Sequence, residues 1–194
     1  MRNTWILLIF IAGLFGFNSC SGESTDATQV DEELYEFQGF SMKPYDIPVM
    51  IMLPDETANI GASTQPEVLH EEGGFRWEIN VGPNYTMVID DWGSDREMVT
   101  SEKKRLKSLE FYKINYIVDE PDLIVYEREL KVSGNNKASK SVGVQHKTFH
   151  VYGQKVFNDI TYVFQSRDEG YEKVIIDLMT KSIKSIKSLD EKPA

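Results

Sequence analysis

Few side chains in this sequence stand at spacings that chemistry requires. His146 and His150, four residues apart, would share one face of a helix and offer two imidazoles to a metal ion. Their neighbours Val142, Val144, Phe149, Val151 and Tyr152 favour a strand instead, which separates the rings by about 13 Å at ~3.3 Å per residue. One ion bonded at ~2 Å cannot bridge that distance, and no third ligand is near in sequence. Asp90, Asp91 and Asp95, or Asp55 with Glu56, carry oxygens of the kind calcium takes. The central glycine and closing glutamate of a calcium loop are absent, so turn and cap duty explains them. No Gly-x-Ser-x-Gly elbow, phosphate loop or His-Glu-x-x-His occurs. Gly73-Gly74 precedes a strand rather than a helix and makes no phosphate cradle. The expectation is a chain without catalytic residues, metal or cofactor, whose one reactive thiol is Cys20.

That thiol has a telling position. Arg2 is followed by an apolar or glycine run over residues 5–17 (WILLIFIAGLFGF), then by Asn18, Ser19 and Cys20. A short positive region, an apolar core and a small residue before the cut make a secretory signal peptide. The run falls short of the ~20 residues a membrane-spanning helix needs. The Phe17-Asn18-Ser19-Cys20 stretch resembles a bacterial lipoprotein lipobox, although Phe17 and Asn18 depart from its usual small or aliphatic wording. The resemblance implies cleavage after residue 19, acylation of Cys20 and a lasting attachment to the envelope membrane, since several acyl chains hold where one is marginal. Ser21 after the cysteine resembles the signal for the outer membrane. With Cys20 acylated no thiol remains for a disulfide, and the fold must be held by its core.

The formal net charge is −10, and loss of Arg2 with residues 1–19 makes it −11. Such a chain repels phosphate backbones and anionic headgroups, which argues against a nucleic-acid partner. The basic residues at 103–107 and 181–192 alternate with apolar ones at helical spacing and read as solvated helix faces. Hydrophobic residues make up 41% and aromatics 11%, enough for a real core.

Residues 20–33 are mostly small and acidic and read as the lipidated cysteine and a flexible tether, with one domain over 34–190. Residues 42–53 read as an edge strand or bent entry, because Pro44 and Pro48 lack the ladder donor. A turn-rich loop over 54–74 holds one short strand near residues 67–70. Residues 75–81, with Phe75, Trp77, Ile79 and Val81 on one face, and 85–90 form a hairpin. Ser94 and Glu97 have capping-box spacing for a helix over 95–109. Strands at 112–118 and 123–130 follow, then a polar loop at 133–141. Two further strands, 142–152 and 155–165, turn at Gly153-Gln154. A helix over 171–187 presents Val174, Ile175, Leu178, Met179, Ile183 and Ile186 at 3.6-residue spacing.

These elements predict an α+β fold, an antiparallel sheet of about six or more strands covered by two amphipathic helices. The proline-bounded opening at residues 45–54, the helix over 95–109 and the Ile183 to Leu189 ending resemble the Mog1/PsbP-like α/β/α sandwich family. That family's members act mostly as accessory or binding factors, so the resemblance implies an interaction role and assigns no residue. Among the aromatics, Trp92 beside Asp90-Asp91, with Tyr116 and Tyr126 on facing strands, are candidates for an exposed partner or ligand patch. The function expected is a lipid-anchored envelope protein carrying a non-catalytic protein-interaction or assembly module. A domain binding a small hydrophobic or glycan ligand is the alternative, and an enzyme of unrecognised type the third.

Overall fold

The computed structural model describes residues 36–63, 65–131 and 147–189. The expected signal peptide and tether, Cys20, the expected 133–141 loop and His146 lie outside the described residues. The described chain is α+β. Its larger sheet contains β3 (Glu67–His70), β4 (Arg76–Asn80), β5 (Thr86–Asp91), β6 (Tyr112–Asp119), β7 (Leu123–Leu130), β8 (Lys147–Phe157) and β9 (Ile160–Ser166). The strand order is β3-β4-β5-β9-β8-β7-β6, and every neighbouring pair is antiparallel. Counting along that order, β5 and β6 run in the same direction, and α1 (Met98–Lys107) carries the chain between them.

Alternation sends each strand's side chains to two different coverings. On one face Trp77, Ile79, Met87, Ile89, Val125, Val151 and Phe164 meet α2 (Lys173–Lys184) and the inner side of a smaller sheet. On the other, Ile124, Tyr126, Tyr152 and Val163 meet Met98, Val99 and Leu106 of α1. Both faces of the sheet's middle are thus buried, and the layers are α1, the larger sheet, and α2 beside the smaller sheet.

The smaller sheet corrects the expectation for residues 42–53. β1 (Phe37–Ser41), β2 (Val49–Pro54) and β10 (Lys187–Ser188) pair antiparallel with β2 in the centre. Pro44 lies in a single 3-10 turn at Lys43–Tyr45, and Pro48 and Pro54 bound the central strand rather than interrupting an edge. Val49, Ile51 and Leu53 are fully buried against α2.

Three further expectations are corrected. The hairpin between β8 and β9 turns at Asn158 and Asp159, with φ of 49° and 63°, not at Gly153-Gln154. Gly153 lies within β8 because a Cβ there would stand 2.9 Å from Leu123 Cδ1 and 3.0 Å from Ile183 Cγ2. Its absence lets α2 approach the sheet. The first helix begins at Met98, three residues later than expected. Glu97 is its N-cap without a side-chain cap bond, and the Asp95 carboxylate instead accepts the Glu97 N–H at 2.9 Å. Phe75 and Val174, expected on apolar faces, are 71% and 52% exposed.

Both helices grip the acidic turn between β6 and β7 from opposite faces of the sheet. Lys103 of α1 pairs with Asp119, and Lys184 of α2 pairs with Glu120 at 2.8 Å. The basic helix faces thus do more than meet solvent. No helix among the described residues is long and apolar enough to cross a membrane.

Candidate functional site

The polar groups buried on the α1 side of the sheet are the first place to look for chemistry. Tyr126 and His150 are cross-strand partners on β7 and β8, and their rings stack at 5.0 Å, 11° from parallel. Gly170 closes over them, since a Cβ there would stand 2.6 Å from the imidazole. Thr148 Oγ1 and His150 Nε2 share a hydrogen bond of 2.8 Å. Burial, reinforced by the positive fields of Arg128 and Arg105, pushes the His150 imidazole down to about 3. It is neutral at physiological pH and poorly matched to acid–base work there.

Glu102 of α1 points into the same layer, only 7% exposed. Both its oxygens accept from the Arg105 guanidinium at 2.6 Å, and the Tyr126 hydroxyl lies 3.4 Å from one of them. That two-pronged bond raises the Arg105 guanidinium. Burial first, then the Glu102 charge, raises the Tyr126 and Tyr152 phenols. Nearer β4, Asp90 accepts from Arg76 at 2.7 and 3.2 Å and from Gln165 at 2.7 Å. Arg167 bonds Glu78 at 3.0 Å. The buried members, Asp90, Glu102, Thr148 and His150, each have a hydrogen-bond partner, which is how polar groups are tolerated in a buried layer.

The carboxylates considered as cation ligands are likewise engaged locally. Asp91 accepts the Gly93 N–H at 2.7 Å, and Asp55 accepts from both the N–H and hydroxyl of Thr57. Among the described residues no group of three His, Cys, Asp or Glu is placed to hold a metal ion.

The structure does not unite the three aromatics of the expected patch. Tyr116 and Tyr126 are cross-strand partners, rings edge to face at 6.3 Å, but Tyr126 is buried beneath α1. Trp92, 49% exposed, donates its backbone N–H to the carbonyl of Thr161, the partner of Val156. Val156 stands six positions along β8 from His150, some 20 Å along the strand. Trp92's exposed companion is Phe75, whose carbonyl accepts the adjoining Asp91 N–H. Its regular alternation with Trp77 and Ile79 concealed its position beyond the strand's end.

Among the described residues, two open grooves stand out. One of about 480 Å³ lies between Asn59, Pro83, Asn84 and the start of α2. The other, about 530 Å³, lies between the C-terminal half of α1 and β6. Leu106, Leu109, Ile114 and Tyr116 line it, with Lys107, Lys113 and Lys131 among its borders and Glu110 as the single carboxylate. Sequence reasoning missed this second groove. Tyr116 alone was singled out, because a groove between a helix end and a strand four residues later has no periodic signal. The chain matches no family model and no curated protein.

Proposed function

We propose that this chain is a bacterial envelope lipoprotein, held to the membrane through an acylated Cys20, whose domain is a non-catalytic interaction module. A Mog1/PsbP-like sandwich is the proposed fold relation, supported by helices on opposite faces of an antiparallel sheet. The anchor is supported by the apolar run over residues 5–17, followed after Asn18-Ser19 by the sequence's only cysteine. The observation that carries the binding reading is the open α1–β6 groove, which among the described residues combines an apolar lining with exposed lysines. The layers between sheets and helices are filled by fully buried Ile51, Leu53, Ile79, Met87, Ile89, Phe164 and Ile176, which favours a surface site over an internal ligand chamber.

Intact mass and membrane partition of the mature protein test the anchor, with Cys20→Ala as the comparison. The wild type carries acyl mass and sediments with membranes; the variant carries none and leaves them. Equal mass and equal partition overturn the anchor. A photocrosslinking residue at Leu109, compared in intact envelopes with one at Thr57, tests the binding face. Adducts specific to position 109 are expected, and none at either position counts against the module reading.

A further inference from the structure

We infer that the free edge of β6 accepts an extended, carboxylate-bearing segment of another protein as an eighth strand of the larger sheet. This rests on the binding reading above and names its partner's chemistry. Among the described residues β6 is the terminal strand of the sheet and pairs only with β7. The Lys131 N–H bonds the Phe111 carbonyl, so these two residues form a hydrogen-bonded pair. Antiparallel alternation then turns the backbone groups of Tyr112, Ile114 and Tyr116 away from β7. Tyr112 gives its N–H to Leu109, whereas no described residue beyond the β6–β7 ladder bonds the backbone of Ile114 or Tyr116. The side chains of these two residues line the α1–β6 groove. A free backbone edge and an apolar channel therefore coincide, which is the arrangement strand addition uses: main-chain bonds for affinity, alternate side chains for selection.

The charge beside the edge selects the occupant. In a chain of net charge −10, the groove is bordered by three lysines against one glutamate. Lys107 and Lys113 are exposed and make no close ion pair among the described residues, Lys113 standing across from Glu129 and within the field of Glu127. A second copy of this chain fits poorly, because antiparallel β6–β6 pairing sets each lysine border against its twin. The opposite edge strand β3 has four residues and is flanked by Glu71 and Glu72, which repel the same ligand. The register shift between Tyr116 and Val118 ends regular pairing, confining the added strand to the Tyr112-to-Tyr116 stretch.

The test uses the full chain in detergent micelles and an end-blocked fluorescent peptide alternating Glu and Val. Saturable anisotropy is expected, with new hydrogen-exchange protection at the Ile114 and Tyr116 amides. Methylating alternate peptide nitrogens, which removes ladder donors, should weaken binding by about tenfold or more. So should the paired substitutions Lys107→Glu and Lys113→Glu, which lie on exposed positions and leave the circular dichroism unchanged. Absence of saturable binding overturns the proposal, as does affinity indifferent to methylation or to charge reversal. Protection that rises with protein concentration alone, with dimers on sedimentation, assigns the edge to a second copy and overturns it too. The Cys20 mass and the Leu109 crosslink are read separately, so loss of the acidic-strand inference leaves the lipoprotein reading standing or falling on its own data.

Discussion

The Tyr126 phenol lies flat on the His150 imidazole, 5.0 Å between ring centres, with α1 above one ring and Gly170 against the other. This packing makes stability depend on pH. The imidazole titrates near 6.5 in the unfolded chain and at about 3 in the fold, so the unfolded state takes the proton first. Its contribution is complete above about pH 6.5 and is lost as pH falls towards 3, by up to about 1.4 kcal/mol per unit. His150→Phe keeps a ring on Tyr126 and removes that slope. Urea unfolding of both proteins at about pH 7 and about pH 4.5 checks it, and parallel pH profiles would contradict a buried neutral imidazole.

Gly153→Ala places a methyl against Leu123 Cδ1 and Ile183 Cγ2, both in the layer between β8 and α2. Overpacking of this kind costs about 1–3 kcal/mol. The loss is read as a lower denaturant midpoint at constant slope, and an unchanged midpoint would mean that α2 has room to withdraw.

Tyr85 and Ser182 share a hydroxyl–hydroxyl bond of 3.0 Å at a site with no exposure for either residue. Burial raises the Tyr85 phenol, so it is present as the neutral donor. Ser182→Ala leaves that hydroxyl unpaired and costs about 1–3 kcal/mol. Adding Tyr85→Phe removes the orphan, and the double variant should lose less than the two singles combined. Strict additivity in the cycle would mean the two groups are not coupled.

Asp159→Gly should stabilise the domain. Asp159 is the second residue of a two-residue turn with positive φ at both positions, where glycine is preferred. Arg96 keeps its bond to the residue-159 carbonyl at 3.0 Å and loses only a 3.7 Å pair with an exposed carboxylate. A rise of about 2 °C in melting temperature is expected in a thermal scan; a fall would mean the side-chain pair outweighs the backbone term.

The elements most legible in the sequence were those with long, regular alternation. β6 and β7 begin within the expected residues, and the short strand at Glu67–His70 stands where turn formers framed it. The errors arose where a local signal competed with packing. Gly153 looks like a turn residue, but tertiary closeness of Ile183 explains it better than any local conformation. Asn158-Asp159 was the true turn and was overlooked within a run that reads as strand. Ser94 and Glu97 have the spacing of a capping box, yet the Asp95 side chain occupies the Glu97 N–H and the helix starts later. The groove was hidden for a different reason: its lining comes from α1 and β6 together, and Glu102 reads as a solvated helix charge until Tyr126 is placed beneath it.

The two-residue strand β10 also fixes a schedule for biosynthesis. β2 gains β1 as a neighbour early, but its other edge waits for Lys187 and Ser188, with Leu189 bonding the Pro48 carbonyl. Ser185 must likewise be present to receive the Met52 N–H at 2.9 Å. The inward residues Val49, Ile51 and Leu53 stay uncovered until α2 has been made. A nascent chain still lacking residues 185–189 cannot close this core, so β2 keeps one edge open until that stretch has been made.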